Sequence, residues 1–585
     1  MKSNFMKRST KIIVLIGSFL LIACAAFAAE TSFRAAVVQF NPVLNERDKN
    51  IEALAAAFEE AMQNGAKLVV APEMSTTGYH YDNRKAITPF VDTIPGKATE
   101  VFSKITEKYG AYVVFGMPEV DKKTGLYYNS SALVGPGGYV GSYRKIHLWE
   151  TEEHWASYGD LGVPVYDTSL GRIAINICMD SAYFETARLA SLAGANILVF
   201  PTNSTSQAIA ALPARAVQNG LYIISANRSN TERDFHMIGG SAIWSPDGDC
   251  LVTTPLVMNR EQAKNETTIA YADIDPARYD NKSKKLLKDR RPELYKDLML
   301  HIVPWNYVKS AKSADVSAFV LQYDPVPGNI ERNMEKISRL IDTEIKNSGK
   351  PDLVVLPEMS LTGPTESASE ADLQFFSKTA SKYGVYLVGS YIERDNETLF
   401  ITAVLLDREG NEVGRYRKTH LNEAEKRWAA AGNSIDVFTT DIGRVGIIIG
   451  DEVKFPEVAG LLAILRADII VVPSSWRETD GGKFYLPAEI SANRYPEGSM
   501  ILWDSVAMSA QAYTLVSNFS GGGFFGGSGL YTLDPLYGLD QPSVLKDGEG
   551  AYFVKFSTIQ SQWWFNQEML INSRRSTYYT PLIME

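Results

Sequence analysis

The chain repeats itself over ~270 residues, and nothing else restricts its fold so much. LVVAPEMSTTG (68–78) returns as LVVLPEMSLTG (353–363), GSYRKIHL (141–148) as GRYRKTHL (414–421), and GRIAINIC (171–178) as GRVGIIIG (443–450). GGSAIWSPDG (239–248) is answered by GGSGLYTLDP (526–535), and DRRPELY (289–295) by SRRSTYY (573–579). The pairs keep their order and their offsets drift by loop-sized amounts, so a whole domain has been duplicated. A period this long is not a solenoid, because each copy can bury its own core. The boundaries that follow are 32–305 for the first copy, a short polar linker at 306–314 (NYVKSAKSA), and 315–585 for the second.

Inside a copy, hydrophobic runs alternate between two periods. AAVVQFNP (35–42) predicts a buried strand, and NIEALAAAFEEAMQNG (50–65) a helix ended by Gly65. KLVVAPEM, AYVVFGMPE, IAINIC and ANILVFP predict further strands, and ATEVFSKITEKYG and FETARLASLAG further helices. Several strands are continuous apolar runs, as sheets covered on both faces require. Strands alternating with helices and followed by hairpins imply an α/β layered sandwich in each copy.

The formal charge of -10 gives no general attraction to nucleic acid or an anionic membrane. Six His without HExxH spacing and three Cys without CxxC argue against a zinc site, and no cofactor is called for. The first 28 residues predict an export address: Lys2, Lys7, Arg8 and Lys11 precede the apolar run 12–28. Two exits compete. Ala26-Phe27-Ala28 would release a soluble periplasmic or secreted protein, whereas Leu21-Ile22-Ala23-Cys24 would lipidate Cys24. A strand expected from Arg34 leaves a lipid anchor only a short tether, which favours soluble export. No later stretch approaches a membrane span.

Three reactive side chains stand beside apolar strands: Glu73 after KLVVAP, Lys145 after GYVGSYR and Cys178 closing IAINI. Strand ends place side chains at the mouth of an α/β sheet, where ligands bind. A thiol can attack, a carboxylate can take its proton, and an ammonium can stabilise the negative charge that develops. Singly, each has an ordinary role, since a lone Cys on a strand is usually a small core residue.

APEMSTTGY around Glu73, YRKIHL around Lys145 and NICMD around Cys178 together resemble the Glu–Lys–Cys motifs of the nitrilase (carbon–nitrogen hydrolase) superfamily. YNSSALV (128–134), ARAVQNGLYIISANR (214–228) and FHMIGGSAIWSPDG (235–248) extend the resemblance over nearly all of 33–300. The resemblance implies two tandem nitrilase-like α-β-β-α sandwich domains. It makes Cys178 the nucleophile, Glu73 the general base, and Lys145 with the Met179 backbone N–H the holders of the oxyanion. A second glutamate is implied between Lys and Cys. Glu152 is chosen over Glu150 and Glu153 because Glu425 has the same spacings from Lys418 and Gly432 as Glu152 has from Lys145 and Gly159.

The implied reaction is hydrolysis of a non-peptide amide bond of a small molecule through a Cys acyl-enzyme. Met179-Asp180 after the Cys resembles amidase branches more than true nitrilases. Nitrile or N-carbamoyl hydrolysis and a catalytically silent scaffold remain as alternatives. No ATP-binding motif supports a fused synthetase branch of the superfamily.

The second copy keeps Glu358, Lys418 and Glu425, but Gly450 stands where Cys178 does and Ile401 where Asn129 does. It is expected not to hydrolyse by the family mechanism. Family members pair through their sandwich faces, so the tandem predicts an intramolecular pseudo-dimer, with homo-oligomerisation left open. The glycine-rich SGGGFFGGSG (520–529) lacks a P-loop signature and predicts close backbone packing; Cys250 is expected to be a packed, reduced thiol, and Trp563-Trp564-Phe565 a packing cluster.

Overall fold

Among the described residues each copy holds two six-stranded sheets, and the first adds a short hairpin that pairs Thr231–Glu232 with Phe235–His236. The computed structural model describes residues 31–204, 207–262, 265–300, 314–365, 371–482, 500–531, 543–545, 547–558 and 566–584. The export address, all but the last residue of the 306–314 linker and Trp563–Phe565 lie outside these residues.

The first copy contributes β1 (Phe33–Gln39), β2 (Ala66–Val70), β3 (Tyr112–Val120), β4 (Tyr127–Gly135), β5 (Gly138–Arg144), β6 (Val165–Thr168), β7 (Gly171–Ile175), β8 (Ile197–Pro201), β9 (Tyr222–Ala226), β10 (Ala242–Trp244), β11 (Cys250–Thr253) and β12 (Thr268–Ile274). One sheet runs β12-β1-β2-β3-β4-β5 and the other β11-β10-β9-β8-β7-β6. In each, three central strands are parallel and the flanking ones antiparallel. Along β1, Ala35 and Val37 face the second sheet, while Ala36 and Val38 face α1 (Arg47–Gln63) and α2 (Lys97–Tyr109). Both faces of β1 are dry, which is why its sequence is continuously apolar instead of alternating.

The second copy repeats this arrangement strand for strand. Its strands are β13 (Asp315–Gln322), β14 (Leu353–Val355), β15 (Tyr386–Asp395), β16 (Thr398–Leu406), β17 (Glu412–Arg417), β18 (Val437–Thr440), β19 (Gly443–Ile447), β20 (Ile469–Pro473), β21 (Tyr513–Ser517), β22 (Ser528–Tyr531), β23 (Ser543–Leu545) and β24 (Gly550–Ser557). The sheet orders are β17-β16-β15-β14-β13-β24 and β18-β19-β20-β21-β22-β23. The 520–529 segment does pack its backbone closely: a Cβ on Gly529 would sit 2.0 Å from the Ser543 carbonyl oxygen.

The copies meet through the helix layers on their second sheets. Helices α3 (Phe184–Leu192) and α4 (Gln207–Asn219) oppose α5 (Pro456–Ile464) and α6 (Ile501–Ala510). Every residue of α5 is buried, which no surface helix of a separate domain would show. A Cβ at Gly460 would lie 2.4 Å from the Phe184 ring, so glycine is needed for the two helices to approach. The chain is therefore an intramolecular pseudo-dimer.

Its chain ends are exchanged between the copies. Arg290, in the tail motif of the first copy, donates to Glu457 of the second at 2.8 Å; Arg574, its repeat equivalent, donates to Glu185 of the first at 3.0 Å. Both pairs are buried. Among the described residues, no helix is long and apolar enough to cross a membrane, and no group of His, Cys, Asp and Glu could hold a metal ion.

Candidate active site

Glu73 leaves the end of β2 and is followed by Met74 at φ 52°, a left-handed turn that aims the carboxylate inward. β3 comes so close that a Cβ on Gly116 would lie 2.6 Å from Glu73 Cα. Lys145 follows β5, and Cys178 follows β7 through Asn176 and Ile177. Cys178 itself sits at φ 44°, a sparsely populated conformation for a residue with a side chain. The four sequence-predicted residues thus come from separate elements and converge between the two sheets.

Lys145 Nζ bridges Glu73 Oε1 at 2.8 Å and Glu152 Oε1 at 2.7 Å, and all three side chains are sealed from solvent. Glu152 reaches this position because the loop after β5 folds back on itself. Gly159 N–H donates to Lys145 O at 2.8 Å, and a Cβ there would lie 2.0 Å from Arg144 O. Glu150 and Glu153 point to solvent. The spacing to Gly159 therefore had a physical basis: the glycine closes the loop that carries the carboxylate.

Asn129, on β4, donates one amide nitrogen to Glu73 Oε1 at 2.7 Å and to Glu152 Oε1 at 3.0 Å. It ties the two carboxylates that Lys145 also joins. Tyr79 adds a buried hydroxyl against Glu152. Sequence reasoning noted Asn129 only as a polar group lost from the second copy and missed Tyr79. Asn129 could have been found by asking which polar residue the duplicate replaces with an apolar one.

The electrostatics follow from burial. Desolvation pushes the Glu73 carboxyl up to about 7, against the pull of Lys145 and with the push of Glu152. Desolvation and then the Glu73 charge push the Cys178 thiol up to about 12, only partly offset by Lys145. Lys145 is held charged despite its burial, first by Glu152 and then by Glu73. The site at rest is a neutral thiol facing a carboxyl poised between its two forms. Glu73 Oε2 has no hydrogen-bond partner, leaving a lone pair available to a proton. Cys178 and Cys250 are both unpaired thiols.

The second copy rebuilds half of this. Lys418 Nζ contacts Glu358 at 3.1 Å, Glu425 at 2.6 Å and Asp451 at 2.8 Å. Gly450 takes the elbow position at φ 54°. The Glu358 carboxylate occupies the space the missing side chain leaves, since a Cβ at Gly450 would lie 2.6 Å from Oε2. Ser475 Oγ donates to that same oxygen at 2.6 Å. The surrounding cavity of about 450 Å³ keeps Trp428 and Trp476 on its walls.

Comparison with known proteins shows the family. The carbon–nitrogen hydrolase family model matches residues 34–282 and again 318–531. A nitrilase of Pyrococcus abyssi is 35% identical over 268 residues, covering 45% of this chain and 98% of the relative. A formamidase of Bacillus cereus is 32% identical over 234 residues (38% and 70%), and an omega-amidase of Xenopus tropicalis 31% identical over 262 (42% and 88%). A solved carbon–nitrogen hydrolase from Helicobacter pylori G27 is 26% identical with a TM-score of 0.41, covering 46% of this chain and 99% of that one. The chain belongs to the carbon–nitrogen hydrolase family and carries that family's domain twice.

Proposed function

We propose that the first copy hydrolyses a small non-peptide amide with Cys178 as nucleophile, Glu73 as general base, Lys145 as oxyanion stabiliser and Glu152 as the carboxylate that holds Lys145. The observation that carries this is the buried Glu73–Lys145–Glu152 bridge beside a thiol at a strained elbow. Because the thiol's own pKa is near 12, Sγ attacks only as Glu73 takes its proton. The S–C bond forms, and the carbonyl oxygen becomes an anion facing the Lys145 ammonium. Glu73 returns the proton to the departing nitrogen as the C–N bond breaks. Water then gives a proton to Glu73 and its oxygen to the thioester, and the thiol leaves with that proton.

The Met179-Asp180 pair supports amides ahead of nitriles, and a formamidase and an omega-amidase stand among the relatives beside a nitrilase. A panel of short aliphatic amides, formamide, N-carbamoyl compounds and nitriles, assayed for ammonia or amine release, tests the reading. Release from amides supports it; release from nitriles or N-carbamoyl compounds alone reassigns the substrate. A silent panel leaves a scaffold.

The second copy is a partner without hydrolytic chemistry. Restoring a thiol there is expected to fail, because Glu358 is turned onto Ser475 and Ile401 stands where Asn129 ties the two glutamates of the first copy. In a Cys178→Ala background, Gly450→Cys should leave hydrolysis at background; activity returning to even ~1% of wild type would show that the second site lacks only its nucleophile.

The N-terminal segment supports export to the periplasm or medium. The mass of the mature protein distinguishes the routes: a start at Ala29 means soluble release, a diacylated Cys24 means a lipid anchor, and an intact Met1 removes the export reading.

A further inference from the structure

The elbow that carries Cys178 is braced from below by Asp180, two residues on. Asp180 is fully buried and its two oxygens are saturated. Oδ2 accepts Ile177 N–H at 2.9 Å and the Tyr143 hydroxyl at 2.7 Å; Oδ1 accepts His147 N–H at 3.1 Å and lies 2.8 Å from His147 Nδ1. Ile177 is the residue immediately before Cys178, so this carboxylate fixes the backbone entering the strained turn.

His147 is itself buried and stacked flat on Tyr183, with ring centroids 3.7 Å apart. Desolvation lowers its pKa against the pull of Asp180, which favours the neutral ring. A neutral imidazole holds one proton, and facing a carboxylate it must hold it on Nδ1. Nε2 is then a buried acceptor that needs a donor. The Tyr579 hydroxyl supplies it at 3.3 Å, from the tail of the second copy. Burial keeps that hydroxyl protonated.

We infer that Tyr579 is a positioning residue for the first copy's reaction: by donating to His147 Nε2 it fixes the imidazole that braces Asp180, and through Asp180 the elbow of Cys178. The nucleophile-free copy thus completes the working site by contributing its tail, in addition to covering a helix face. The inference rests on Cys178 being the nucleophile. The repeat equivalent supplies an internal control. Tyr295, from the tail of the first copy, lies 2.5 Å from His420 Nε2 in the second copy, where no thiol follows. The same hydroxyl lost there removes a similar contact beneath a site without a nucleophile.

The test is Tyr579→Phe and Tyr295→Phe in the full chain, with steady-state amide kinetics, melting curves and ¹⁵N spectra of labelled histidine. Tyr579→Phe should lower kcat about tenfold with KM within about twofold, the loss of one buried hydrogen bond expressed at the elbow. It should also shift the Nε2 resonance of His147, which loses its donor, while the Nδ1–H held by Asp180 remains. Tyr295→Phe should leave kcat at the wild-type value while its Tm falls by a similar amount to that of Tyr579→Phe. Unchanged kcat in Tyr579→Phe, or equal losses of kcat in both variants, overturns the positioning role. A Cys178→Ala enzyme that still turns over would instead overturn the nucleophile assignment, so the two failures are separable.

Discussion

Cys178→Ala is expected to lower kcat/KM for the best amide by ~10⁴-fold or more, because no other group can form the covalent intermediate. The neighbouring carboxylates cannot replace the thiol. Glu73 and Glu152 are both engaged by Lys145 and Asn129, and a carboxylate is a weak nucleophile toward an amide. Folding should be preserved, since Cys178 is only partly buried and its hydrogen bond to Asn203 O is long, at 4.0 Å. Alkylation gives a matching result: one equivalent of a thiol reagent at Cys178 should abolish turnover in proportion to labelling. Substantial activity in the alanine variant, with native melting behaviour, would falsify the nucleophile assignment.

The second large effect belongs to Glu73. Glu73→Gln keeps the shape but cannot take a proton, and a positioned general base contributes ~10²–10⁴-fold. A loss of ~10³-fold in kcat is expected, with the acyl transfer and the hydrolysis of the thioester both slowed. The pH profile gives the sign. Burial raises the Glu73 pKa to about 7, so below that pH the carboxyl already holds a proton and cannot receive the one on sulfur. Wild-type kcat/KM should therefore climb as pH rises through about 7 and level off above it. Glu73→Gln should lose that acid limb. A limb unchanged in the variant would assign it to another group.

The duplication and the Glu–Lys–Cys set were legible because each rests on short local strings that recur. Glu152 was legible for a subtler reason: two copies preserve the spacing to a glycine, and that glycine permits the loop closure. What Gly450 does to its surroundings was not. Its sequence announces a missing thiol, but not that Glu358 turns into the vacated space and that Ser475, from a distant strand end, fixes it there. The tail motifs DRRPELY and SRRSTYY were matched to each other in sequence, yet a repeat pattern cannot say which copy a tail packs on. Only the fold shows that Arg290 and Arg574 each serve the other copy. His147 and Asp180 likewise lay inside recognised motifs without a stated task, because their task depends on Tyr579.

The exchange of tails also sets a timetable for synthesis. Tyr579 follows His147 by 432 residues. At ~5–20 residues per second, ribosomes need ~20–90 s to cover that distance. Throughout that interval the imidazole lacks its tyrosine, and until α5 and α6 are made, α3 and α4 lack the layer that covers them. The first half of the gene product can fold its sheets early, but its final geometry arrives with nearly the last segment translated. Duplication has made the order of manufacture part of the architecture: the thiol is written early and its support is written late.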